Sequence, residues 1–129
     1  MRTAIMSIGE IEKRAAFALK TIHDDEHKTH DDLCKIRVAD RKTHVEVIFD
    51  AHGYTVHDAM VCMRNIINLI RCPFKLTVIH GYHGGQAIMT AIRTKSCSAR
   101  ISRMYTNYWN NGITHFWVDS DSYIHAYAA

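Results

Sequence analysis

The chain has 129 residues, 47% of them apolar, with 16 basic against 13 acidic residues and a formal net charge of +3. That length suits one domain of ordinary size, and the apolar fraction argues against a chain dominated by disorder. The weak positive charge is compatible with nucleic-acid binding without arguing for it, and no run approaches the ~18 apolar residues of a membrane span.

Residues 1–44 read as an amphipathic helix followed by a connector. Ile8, Ile11, Ala15, Leu19 and Ile22 recur at helical spacing, which predicts a helix from Ile8 to about His30. Docking of that stripe on the rest of the chain is favoured over a homodimer through the helix, because no long heptad run is present. The opening stretch, MRTAIMSIGEIEKRAAF, lacks the apolar core of a signal peptide, so a cytoplasmic protein with reduced thiols is expected. His23, His27, His30 and Cys34 would share one face of a continuing helix, an arrangement that can ligate a metal. The plainer reading is a solvated helix end among Asp24, Asp25, Asp31 and Asp32. The four cysteines form no CxxC, which excludes a zinc ribbon or a thioredoxin-like motif. Lys35–Thr43 reads as a basic connector with room for a short edge strand.

Residues 45–119 carry the domain. Val45–Asp50 is a short β-branched strand bounded by charge. His52-Gly53 breaks it, and Thr55-x-x-Asp58 forms a capping box for the next helix. That helix presents Val56, Ala59, Met60, Met63, Ile66, Ile67 and Ile70 to the core and stops at Cys72-Pro73. Phe74–Ile79 then returns parallel to the first strand, the helix supplying the crossover. After His80–Gly85, Gly84-Gly85 open a second helix with Ile88, Ala91 and Ile92 inward, ending near Ser96. Arg100–Tyr105 reads as a strand, Asn110-Asn111-Gly112 as a turn, Ile113–Val118 as a strand, and 120–129 as a loose tail. The predicted order is α-βαβαββ, an α/β sandwich of two or three layers.

Both His-Gly corners fall at the carboxyl ends of parallel strands, where open α/β sheets bind ligands. One βαβ unit would bring Asp50, His52, His80 and His83 to the same sheet edge as candidate catalytic groups. Gly81, Gly84 and Gly85 leave backbone N–H groups open to a phosphate. Imidazoles beside a phosphate could serve as general acid and base or as oxyanion donors, with Asp50 orienting His52. The structural alternatives are an Asp50 that bonds only its turn backbone and histidines that bond turn carbonyls. No GxxxxGK[ST] occurs, which disfavours nucleoside-triphosphate hydrolysis.

At these residues the chain resembles the Smr domain, the small MutS-related nuclease module. Phe49-Asp50-Ala51-His52-Gly53 stands at that family's Leu-Asp-Leu-His-Gly corner, and Thr55-Val56 begins its helix. Ile79-His80-Gly81-Tyr82-His83-Gly84-Gly85 stands at its His-Gly-x-Gly-x-Gly turn, and Gly112-Ile113-Thr114 at its late Gly-x-Thr strand. The resemblance spans roughly Val45–Val118. His83 replaces the middle glycine of the second motif, and Ala51 replaces a leucine. The resemblance implies a βαβαββ fold, RNA or DNA as partner and, in several members, phosphodiester cleavage; other members bind without cutting. Arg93, Lys95, Arg100 and Arg103 are candidates to track phosphates, and Tyr108 and Trp109 to stack on bases, while Trp117 reads as core.

The first expectation is an Smr-like endonuclease that cleaves RNA or nicks DNA. The rivals are a non-catalytic nucleic-acid-binding adaptor of the same fold, of the kind that acts on ribosome-bound RNA, and a metal-binding protein using His23, His27 and His30. The sequence leaves open whether a divalent metal ion takes part.

Overall fold

The computed structural model describes residues 6–20, 35–81, 86–94, 98–107 and 110–121. The elements are α1 (Ile8–Lys20), β1 (Ile36–Asp40), β2 (Val45–Asp50), α2 (Val56–Leu69), β3 (Phe74–Ile79), α3 (Gln86–Thr94), β4 (Ile101–Asn107) and β5 (Asn110–Val118). They form a five-stranded mixed sheet in the order β1-β2-β3-β5-β4. β2 and β3 are parallel, with α2 between them in sequence; every other pairing is antiparallel.

Period-two alternation along the strands decides which face is covered. Val47 and Phe49 of β2, Phe74, Leu76 and Val78 of β3, and Phe116 and Val118 of β5 are all buried in one cluster. The same cluster takes Ile11, Ala15, Ala18 and Leu19 from α1, Ala59, Met60, Cys62, Met63, Ile66 and Ile67 from α2, and Ile88, Ala91 and Ile92 from α3. Among the described residues, the helices therefore line one face only. Of the two arrangements the sequence leaves open, the described residues form the two-layer sandwich.

Local signals place the helices. Ser7 caps α1, accepting the Glu10 N–H at 3.1 Å through its hydroxyl, and Thr55 caps α2 by accepting the Asp58 N–H at 3.0 Å. Such caps are worth about 1 kcal/mol each. α1 docks in cis, as its stripe predicts. Arg14 ion-pairs with Glu10 at 2.9 Å and donates to the Leu69 carbonyl at 2.8 Å, satisfying an acceptor at the end of α2. The expected continuation of the helix to His30 lies outside the described residues.

The connector forms the edge strand β1, which pairs with β2 through a tight turn at Arg41–His44. Asn110-Asn111-Gly112, expected as a turn, belongs instead to β5. The Gly112 carbonyl accepts the N–H groups of both His80 and Gly81, at 2.8 and 3.1 Å, so pairing with β3 continues past its last ladder residue and the Gly81 N–H, expected to be open to a phosphate, is already engaged.

Arg100, expected to meet phosphates, is buried at the other end of the sheet. Its guanidinium donates to the carbonyls of Ile67, Cys72 (3.3 Å) and Asp119 (2.8 Å), tying the end of α2 to the strand ends. Removing it strands buried acceptors, each costing about 1–3 kcal/mol. Arg100→Met is expected to lower unfolding free energy by about 3 kcal/mol or more in urea titrations. Arg103→Met, on an exposed side chain, should change it by less than about 0.5 kcal/mol.

Candidate functional site

The parallel pair continues one step beyond β2, with the Ala51 N–H donating to the Ile79 carbonyl at 2.7 Å. That bond holds the two His-Gly corners side by side. Gly53 and Gly81 share a φ of +84°, a conformation that side-chain-bearing residues rarely adopt. A Cβ built on Gly81 would lie 3.7 Å from His52 Cβ, which measures how closely the corners approach.

Asp50 and His52 form a pair at this edge. The Asp50 Oδ1 accepts from His52 Nδ1 at 2.7 Å and from the His52 backbone N–H at 3.2 Å. The carboxylate thus does both things the sequence suggested, orienting the imidazole and closing the turn. With Nδ1 occupied, Nε2 is the nitrogen left for a substrate, on a side chain that is 64% exposed. Lys35 Nζ binds the His52 carbonyl at 3.0 Å and lies 5.5 Å from the centre of the Tyr54 ring, bringing a cation to the same corner.

His80 has a different setting. It is 1% exposed and points to the helix side of the sheet. Its Nε2 lies 3.0 Å from Thr114 Oγ1, and its Nδ1 3.3 Å from the Gly81 carbonyl. Arg93 Nε donates to the same threonine oxygen at 3.0 Å. With the ring neutral, the donors fit one arrangement: the Thr114 hydroxyl donates a hydrogen bond to Nε2, and Nδ1–H donates to the Gly81 carbonyl. Burial lowers the His80 pKa, the Gly81 carbonyl opposes that, and the Arg93 charge adds to the lowering. His80 therefore acts as a buried tie between the second corner and β5, and of the corner histidines among the described residues, His52 is the exposed one.

Arg93 is turned inward to Thr114, and its Nη2 is buried without a hydrogen-bond partner among the described residues. Arg103 is exposed on β4. His83, Gly84, Gly85, Lys95, Tyr108 and Trp109 lie outside the described residues, as do His23, His27, His30 and Cys34. Among the described residues, no cluster of three or more His, Cys, Asp or Glu could hold a metal ion, and no helix is long and apolar enough to cross a membrane. Cys62 is a buried thiol whose pKa burial pushes up to about 12, with Asp58 adding to the rise, so it is inert.

The sequence reading overlooked a polar cluster on the face without helices. The Thr77 hydroxyl donates to Glu46 Oε2 and accepts from His115 Nδ1 at 2.9 Å, and all three residues are buried. Burial alone would raise the Glu46 pKa, but its bonds from Thr77 and Arg41, with the Lys75 charge, leave it lowered. Burial and Lys75 lower the His115 pKa against the opposing pull of Glu46. The signal was present in the strands: Glu46, Lys75, Thr77 and His115 sit out of phase with the apolar residues of segments expected as strands.

Against family models, curated proteins and solved structures, the chain finds no match. Fold and site together define its class: a small two-layer α/β domain with an exposed carboxylate–imidazole pair at the carboxyl ends of its parallel strands.

His80 and His115 both titrate below the ordinary value of 6.5 when folded. The unfolded chain then binds more protons as pH falls through that value, so their contribution is held above it and lost below. Melting temperature should be steady from about pH 8 to about pH 7 and fall between about pH 6.5 and pH 5. His80→Gln, which cannot charge, should flatten part of that slope; an unchanged slope would remove His80 from the account.

Proposed function

We propose that this domain is a nucleic-acid-binding endonuclease of the Smr-like kind, with His52 as its acid–base group and Asp50 as its positioning partner. The observation that supports the reading best is the exposed Asp50–His52 pair, 2.7 Å apart, beside the positive-φ Gly81 corner. A carboxylate bound to Nδ1 fixes the ring and stabilises the imidazolium that forms when Nε2 takes a proton. In RNA the proton comes from the ribose 2′-hydroxyl, and in DNA from a water. The deprotonated oxygen attacks phosphorus, the bond from phosphorus to the leaving oxygen breaks, and that oxygen takes a proton from the imidazolium or from solvent.

A second reading has its own support. His80 is buried and both its ring nitrogens are engaged, which leaves His52 as the exposed candidate imidazole among the described residues, where the sequence suggested three with His83. A domain so equipped could hold nucleic acid without cutting it, as an adaptor.

The test is incubation with labelled single-stranded RNA and, separately, supercoiled DNA, each with and without chelator. Cleavage should fall about 100-fold or more in His52→Ala and by a smaller factor in Asp50→Asn. Cleavage undiminished in His52→Ala would overturn the nuclease assignment at this pair, and a mobility shift without cleavage by the native protein would favour the adaptor.

A further inference from the structure

We infer that the sheet face opposite the helices is a platform for single-stranded nucleic acid, leading to the Asp50–His52 pair. The inference rests on the nucleic-acid reading above and adds how the strand is held.

Strand register sets the platform out in rows. Across the sheet, Glu46, Lys75, Trp117 and Arg103 are successive partners, and in the next row Thr77, His115 and Tyr105. Asp50 lies on the same face of β2 as Glu46, four residues further along, or about 13 Å. The face therefore runs without a change of side from its aromatic rows to the candidate site.

Its rings are already ordered. Tyr105 stacks on His115 with centroids 4.7 Å apart at 19°, and His44 meets Trp117 edge-on at 4.8 Å and 72°. Lys75 Nζ lies 5.5 Å from the Tyr105 ring centre and 5.9 Å from that of Trp117. Tyr105 and Trp117 are half-buried, not sealed in a core, although Trp117 reads as core in the sequence. Rings held in place beforehand cost little to order when a ligand stacks on them.

The charges fit a polyanion. Lys75 brings an ammonium between the two rings, where it also ion-pairs with Glu46 at 3.9 Å, and Arg37 and Arg103 are exposed at the flanks. The carboxylate within these rows, Glu46, is buried and engaged by Arg41 at 2.9 Å and by Thr77. Aromatic faces with interleaved cations suit unpaired bases on a phosphate backbone. Duplex is a poorer fit, because its bases already stack on one another. A protein partner is disfavoured by the central lysine, a residue depleted from the cores of such interfaces.

Binding is measured on His52→Ala protein, so that cleavage does not intrude, with a labelled 12-mer single-stranded RNA, the DNA of the same sequence, and the RNA duplex. Fluorescence of Trp117 is read in a Trp109→Phe background. Single strands should bind about tenfold more tightly than duplex and quench Trp117. Trp117→Ala and Arg103→Glu should each weaken binding by about fivefold or more, while Trp117→Phe, which keeps a ring, should restore most of it. Circular dichroism melts confirm that each variant is folded. Wild-type affinity in both Trp117→Ala and Arg103→Glu would overturn the platform, as would equal affinity for duplex, or a change in self-association in place of binding. Cleavage by the native protein is scored separately, so a nuclease with an unaffected platform variant sinks only this inference, and a binding platform without cleavage sinks only the nuclease.

Discussion

Burial of one face of the sheet under three helices is the constraint on which the rest of the molecule depends. Phe49, Phe74, Leu76 and Phe116 have almost no exposure and lie at alternate positions of their strands. A one-residue slip in any central strand would send these side chains to the opposite face. The register is therefore strongly specified, and with it the positions of everything on the other side. Asp50, Lys75, Thr77, His115 and Trp117 are where they are because their neighbours must be inside.

The site at the carboxyl edge depends on a few bonds that extend this register past the strand ends. Ala51 pairs with Ile79, and the Gly112 carbonyl receives two N–H groups from the second corner. His80 reinforces the same junction from below, linked through Thr114 to Arg93 on α3. A buried neutral histidine in this place is a structural tie with a pH limit, since charging it would leave a cation beside the Arg93 guanidinium. The exposed His52 stands on that support, oriented by Asp50 rather than by the core.

The face without helices shows how a sheet can keep polar groups at its centre. Glu46, Thr77 and His115 satisfy one another across three neighbouring strands, and Arg41 and Lys75 complete the charge balance. Each polar atom that is paired in this way avoids the desolvation cost an orphan would carry. The same arrangement holds the aromatic rings of Tyr105 and Trp117 in fixed positions beside cations. Stability and surface chemistry are thus properties of one network.

Much of the fold was legible in the residues themselves. Helical spacing in α1 and α2, the Thr55 cap, the β-branched runs of β2 and β3, and the His-Gly breaks are local signals, and local physics makes them. The pairing of Asp50 with His52 was also readable, because two residues of separation bring a carboxylate within reach of an imidazole in a tight turn. What the sequence could not supply was the side of the sheet on which each residue falls and what lies across from it. Arg100 reads as a phosphate contact until three distant carbonyls are found around it, and Asn110-Asn111-Gly112 reads as a turn until β3 is seen to need a partner there. His80 looks like the equal of His52 in a list of His-Gly pairs, yet one is buried and the other exposed. Those outcomes were decided by tertiary structure, because burial and cross-strand pairing join residues tens of positions apart and carry no local mark.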